Sequence, residues 1–459
     1  MNNFNSDSAL LVDLYELTMA AGYFHHNYNP YVTFELFSRY LPENRNYLIA
    51  AGVEDAIEFV INLKFEKDEI EYLRSLNQFK NVGDDFFKYL ENFKFSGNIY
   101  AVREGELIFA NEPILQIEAP LIEAQILETY LLTAINFQTS VASKASRIVQ
   151  AAQSDGKFRG IMEFGSRRAH GPEAGVLAAR ASYIAGCIGT SNVLAGYKFG
   201  IPVYGTAAHS WTLAFESELE AFRKYSEVFP ESSIYLIDTY NTIEGAKNAT
   251  RTGYKFIGVR IDSGDLEKTS KTVRQILNDN GFADAKIIVS GDLNEYKIEK
   301  LVKAKAPIDS FGVGTQLSTS ADAPYIPVVY KLVEVAGNEG RIFKAKFSPD
   351  KQTYPGKKQI YRIEKNEYFE KDIIDLVNSG TQPAGNKLLH QWVKNGVRIK
   401  EFPGLEKTKK YALENLKKLP ENFFNLYNKA DFKIEFSAHL EKILSEIRKK
   451  YFTQNNGGK

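Results

Sequence analysis

Along the first sixty residues the apolar positions switch between two periods. In SDSALLVDLYELTMAAGYF, Leu10, Leu14, Leu17 and Met19 keep helical spacing, with Ser6, Asp7 and Ser8 as candidate N-caps and Tyr15 within the helix. In YVTFELFSRY, Val32, Phe34 and Leu36 alternate with more mixed residues, which predicts a strand with one deeply buried face. GVEDAIEFVINL returns to helical spacing. From Asn98 to Pro120, three short strand-like pieces punctuated by Gly105 and Pro113 predict a small antiparallel sheet. Residues 121–152 then read as one long, uninterrupted helical stretch.

Beyond it the texture changes. Short β-type runs, RGIMEF, CIGT, IPVYGT, SIYLID, FIGVRID, KIIVSGD and DSFGVG, alternate with helical segments. That alternation predicts βαβ units, a parallel sheet and enough strands for a closed barrel. The expected organisation is an N-terminal α+β part over 1–125, bridging helices over 126–154 and the barrel over 155–325. Strand-like chain follows over 326–400, and Lys-rich amphipathic helices over 401–459.

Composition narrows the partners. Among 459 residues, 57 Lys and Arg offset 57 Asp and Glu, so the basic excess of a nucleic-acid or membrane-surface binder is missing and a small-molecule partner is expected. The single cysteine, Cys187, cannot form an internal disulfide, which fits a reducing, cytoplasmic setting and no thiolate zinc site. No Lys or Arg precedes Arg39, and Asp13 and Glu16 interrupt the first apolar stretch, unlike a signal peptide. The uncharged run from Ala181 to Tyr197 is too short and polar to span a bilayer.

In a parallel barrel the loops after the strands carry the chemistry. EFGSRRAHGPEAG sets Arg167 beside Arg168, suited either to clamping a carboxylate or phosphate or to a salt bridge. GVRIDSGD gathers Arg260, Asp262, Ser263, Gly264 and Asp265, which suits vicinal sugar hydroxyls or a substrate-borne Mg2+, or else a helix cap and turn. VSGD and FGVGT place Gly291, Gly312, Gly314 and Thr315 where bare backbone N–H groups can approach a phosphate. GTAAHSW places His209 after a β-type run, and Asp238, ending IYLID, is a candidate to orient its ring. HExxH, GxSxG, P-loop and GxGxxG patterns are all missing.

LVDLYELTMAAGYF, EFGSRRAHGPEAG, GTAAHSW, GVRIDSGDL, DSFGVGT and YPGKKQIYR, in this order, resemble nicotinate phosphoribosyltransferase. The resemblance implies a type II phosphoribosyltransferase: an irregular α/β barrel on an N-terminal α/β sandwich that is completed by chain after the barrel. It implies nicotinate, 5-phosphoribosyl 1-diphosphate and ATP as substrates, with Mg2+, in NAD salvage. It places Tyr15 and Phe164 against the pyridine ring, with Tyr15 reaching across a homodimer interface into a shared active site. Arg167 and Arg260 then face the nicotinate carboxylate or the diphosphate, and Asp262 and Asp265 meet ribose hydroxyls and Mg2+. Gly291, Gly312, Gly314 and Thr315 cradle the 5-phosphate, Lys357 and Lys358 contact phosphates, and His209 is the residue phosphorylated by ATP. The competing readings are a related transferase for nicotinamide or quinolinate, a phosphosugar aldolase or isomerase, and a non-enzymatic barrel.

Overall fold

The computed structural model describes residues 8–454 except Glu339, Asp350 and Thr381. Two of the candidate caps, Ser6 and Asp7, lie outside the described residues. The first helix, Leu14–His25, begins later than expected. Its N-cap is Asp13, whose amide donates to Glu16 Oε1 (3.4 Å). Leu17 is buried, whereas Leu14 and Met19 are exposed.

The strand Tyr31–Ser38 is buried on both faces rather than one. It lies inside a seven-stranded sheet, paired on one side with Pro113–Pro120 and on the other with Val328–Gly337. The sheet order runs Gly340–Phe343, Val328–Gly337, Tyr31–Ser38, Pro113–Pro120, Asn98–Ala101, His390–Lys394, Val397–Arg398. N-terminal strands thus pair with strands formed after residue 325, and the apolar residues of both stretches share one core. Glu35, in the middle of the buried strand, meets Lys358 Nζ at 3.1 Å. That ammonium also donates to the carbonyls of Tyr354 and Gly356, both at 2.9 Å. Lys358 is thereby enclosed as a core ion pair and has no path to a phosphate, which corrects the expectation for it.

The helical stretch 121–152 is broken at Ile126 and Leu127 into Leu121–Gln125 and Glu128–Ala152. The longer helix crosses to the second sheet, which has six parallel strands in the order Gly189–Thr190, Gly160–Glu163, Ser310–Val313, Lys286–Val289, Gly258–Ile261, Ile234–Leu236. First and last strands in the chain are neighbours, as in a ring. Val203 adds a single parallel bridge to Thr190. Among the described residues no ladder joins Val203 to Ile234, so hydrogen bonding leaves a seam in this parallel α/β sheet and does not close it into a barrel. Pro202 has no N–H to give, which explains why IPVYGT shrinks to one bridge. Two helices, His209–Leu213 and Glu218–Val228, fill the segment after it. Among the described residues no helix is long and apolar enough to cross a membrane.

Candidate active site

The C-terminal ends of five parallel strands converge. Phe164, Arg167 and Arg168 follow Gly160–Glu163; Asp238 and Thr239 follow Ile234–Leu236; Arg260 and Asp262 end Gly258–Ile261; Ser290 and Gly291 follow Lys286–Val289; Gly312 to Thr315 end Ser310–Val313. A cavity of ≈ 250 Å³ opens among Phe164, Arg167, Arg168, Arg260, Asp262, Ser290, Gly291, Asp292, Gly312, Gly314 and Thr315. Its glycines are sterically required. A Cβ on Gly312 would stand 2.5 Å from the Phe164 ring, and one on Gly291 2.0 Å from the Asp262 carbonyl oxygen. Gly291 also has φ +94°, a region that favours glycine. No lysine lines this cavity, so a Schiff base has no donor here.

Arg167 and Arg168 sit on a single 3-10 turn, Ser166–Arg168, and are exposed. Among the described residues neither is engaged in an ion pair, so the salt-bridge reading fails and both charges face solvent at the cavity. A larger recess, ≈ 680 Å³, opens at the opposite ends of the strands around Asp309. There several of the charges are paired: Arg274 and Lys286 meet Asp309 at 3.4 and 3.5 Å, and Arg159 meets Asp155 at 2.7 Å.

Arg260 is fixed by three side chains. Its Nε donates to Ser290 Oγ (2.8 Å), Nη1 to Thr206 Oγ1 (2.7 Å) and Nη2 to Asp262 Oδ1 (2.9 Å). Its Cζ lies 5.9 Å from the centre of the Phe164 ring. Burial pushes the Asp262 carboxyl up, but the Ser290 hydroxyl, Arg260 and, less strongly, His209 together hold it below the usual range. Asp238 is almost fully enclosed. Its Oδ2 accepts from the Asp262 amide (3.0 Å) and the Ser263 hydroxyl (2.6 Å), while Oδ1 has no hydrogen-bond partner.

His209, the first residue of its short helix, is half-exposed. Nδ1 contacts Thr239 Oγ1 (3.1 Å), and Nε2 stands 4.0 Å from the free Asp238 Oδ1. The ring is therefore displayed beside the cavity and not packed as core. Asp265 is exposed and caps Leu266–Asp279, its Oδ1 accepting from the Lys268 amide (3.1 Å), with Gly264 turning at φ +81°. Tyr15 lies on the first helix, partly exposed and outside the cavity lining. Sequence reasoning missed Thr206, Thr239 and Ser290. Ser290 had a usable signal, as the hydroxyl directly before a glycine turn; the two threonines matter only through contacts between loops.

Fold and site define the class: an α/β protein with a cavity at its strand ends whose arginines and glycine turns suit an anionic ligand. Comparison with known proteins refines it. The nicotinate phosphoribosyltransferase (NAPRTase) N-terminal domain matches residues 10–136, the NAPRTase family proper 160–369, and the NAPRTase C-terminal domain 381–444. The chain belongs to the nicotinate phosphoribosyltransferase family. It is 41% identical to nicotinate phosphoribosyltransferase pncB2 of Mycobacterium tuberculosis, over 91% of this chain and 89% of that one. The Bacillus subtilis nicotinate phosphoribosyltransferase is 37% identical, over 95% and 94%. Among solved structures, human nicotinic acid phosphoribosyltransferase superposes with a TM-score of 0.83 at 25% identity, covering 95% of this chain and 99% of that one.

Proposed function

We propose that this chain joins nicotinate to 5-phosphoribosyl 1-diphosphate, giving nicotinate mononucleotide and diphosphate for NAD salvage, with ATP cleavage coupled through His209. The supporting observation is the meeting of unpaired arginines, an aromatic ring and Cβ-free turns in one cavity. The pyridine nitrogen attacks the ribose C1 with its own lone pair; the C1–O bond breaks and its electrons leave with diphosphate. No proton moves, so positioning and charge carry the catalysis and a general base is unnecessary. Phe164 supports the pyridine ring, joined by Tyr15 from the second subunit of a homodimer. Arg167 and Arg260 face the carboxylate or diphosphate, Asp262 meets the ribose hydroxyls, and the glycine turns with Thr315 take the 5-phosphate.

The Asp262 carboxylate, which lines the cavity, fits a Mg2+ ion carried in on the diphosphate. Bound there, Mg2+ neutralises charge on the departing diphosphate. In the ATP step a bond forms between His209 and the γ-phosphorus while the bond to ADP breaks; water later cleaves the phosphohistidine. The enzyme works in the cytoplasm.

Turnover of nicotinate, nicotinamide and quinolinate, each with 5-phosphoribosyl 1-diphosphate and with or without ATP, tests this reading. Nicotinate is expected to react fastest, and a faster nicotinamide would overturn it. Labelled ATP is expected to leave an acid-labile phosphate on wild type and none on His209→Asn; label persisting in that variant removes His209 from the chemistry.

A further inference from the structure

Two of the three Arg260 hydrogen bonds stay at the sheet, to Ser290 and Asp262. The third leaves it. Nη1 donates to Thr206 Oγ1 at 2.7 Å, and Thr206 passes its own proton to the Ala207 carbonyl at 3.0 Å. The hydroxyl therefore accepts from the cavity arginine and donates to the backbone that leads directly into His209. Residues 205–208 have no regular secondary structure and lie at the seam where strand pairing is not closed. Among the described hydrogen bonds, the one from Arg260 ties this stretch to the parallel sheet.

We propose that Thr206 is a positioning residue that transmits the phosphorylation state of His209 to Arg260, and so sets how firmly Arg260 grips the anionic substrate. This rests on the phosphohistidine reading above. A guanidinium has five N–H donors, so Arg260 with three committed keeps two for a ligand. Phosphate on His209 brings a charge of about −1.5 to −2. Nε2 stands 4.0 Å from Asp238 Oδ1, an enclosed carboxylate oxygen with no partner. Asp238 is anchored through its other oxygen, by the Asp262 amide and the Ser263 hydroxyl. The half-exposed histidine at the head of a five-residue helix is the side that yields to the repulsion. Its displacement draws Thr206 away, and the third Arg260 donor passes to the substrate. One charge-assisted hydrogen bond gained or lost is worth about 1.5–3 kcal/mol, about 10- to 100-fold in binding.

The experiment measures KM for nicotinate and for 5-phosphoribosyl 1-diphosphate, with and without ATP, in full-length wild type, Thr206→Val and Thr206→Ser, alongside labelling by ATP. Valine keeps the shape and loses both hydrogen bonds; serine keeps the hydroxyl. The expected result is an ATP-dependent KM ratio of at least about tenfold in wild type, retained in T206S and collapsed toward one in T206V, with label still present on His209 in all three. A T206V ratio equal to that of wild type overturns the relay and leaves the phosphohistidine reading standing. Loss of label in T206V alone also overturns it, because Thr206 would then serve phosphoryl acceptance. A wild type with no label and a ratio of one overturns both. Thr206 is only partly buried, and melting curves confirm folding of each variant, with T206S as the folded reference.

Discussion

At Gly312 a single methyl group sets the shape of the cavity. An added Cβ would lie 2.5 Å from the Phe164 ring, so Gly312→Ala must shift that ring, the surface proposed above to support the pyridine. The expected outcome is a fall of at least about tenfold in kcat/KM for nicotinate, about 1.4 kcal/mol of transition-state stabilisation, with a melting temperature lowered by overpacking that costs about 1–3 kcal/mol. Steady-state kinetics and a melt on the same preparation check both halves. Arg167 acts through charge instead. Arg167→Ala removes a cation with no internal partner, so stability should hold while the preference for nicotinate over nicotinamide drops by about 10- to 100-fold, the worth of one charge-assisted bond. Competition between the two pyridines measures it. These residues were legible because each follows a β-type run, where a parallel sheet exposes its loops. Lys358 was not: it is claimed by Glu35, hundreds of residues earlier.

The same limit operates on whole elements. The first helix was read from its period, but its start moved to Asp13 because Glu16 closes the capping interaction there. The helix Glu218–Val228 was not singled out from the sequence, although Ser217 was an available cap signal and accepts from the Glu220 amide at 3.2 Å. Tyr31–Ser38 was read as half-buried because periodicity reports what a strand tolerates and cannot report that neighbours cover both faces. Glu16 carries a test at this scale. Burial pushes its carboxyl from 4.5 up to about 7, against opposing hydrogen bonds from Thr129 and Asp13, and its Oε2 has no partner. Between those two values the folded protein holds more proton than the unfolded chain, so stability falls as pH rises from about 4.5 through about 7. Glu16→Gln cannot ionise and offers an amide in place of the bare oxygen. Urea midpoints at pH 5 and pH 8 should differ less in E16Q than in wild type, with E16Q the more stable at pH 8; identical pH slopes would remove Glu16 as the source.

At the scale of the molecule, alternation of short strands and helices made the α/β class legible, whereas the seam and the long-range pairing were not. The partner of Tyr31–Ser38 forms near residue 330, and nothing local to either strand names the other. What joins the two sheets is a buried charge network on the helix Glu128–Ala152. Lys144 Nζ meets Glu295 Oε2 at 2.6 Å and Asp322 Oδ1 at 2.8 Å; Arg147 adds a second bond to Glu295 at 3.1 Å, and Arg45, from the N-terminal part, meets Asp322 at 2.8 Å. Glu295 begins the helix after the Ser290–Gly291 turn, and Asp322 follows the short helix that Thr315 opens. One lysine thus braces, from behind, both turns assigned to the phosphate. Removing it leaves Glu295 with Arg147 alone and Asp322 with Arg45 alone, so each carboxylate keeps one cation and the buried network is weakened, not abolished. Lys144→Met should therefore lose stability in denaturant titrations, by less than the roughly 3–5 kcal/mol that a wholly uncompensated buried charge costs. Because the two turns lose a common anchor, the surviving folded enzyme should show a larger rise in KM for 5-phosphoribosyl 1-diphosphate than for nicotinate. Equal rises for the two substrates would make the network a matter of stability alone and detach it from the phosphate turns.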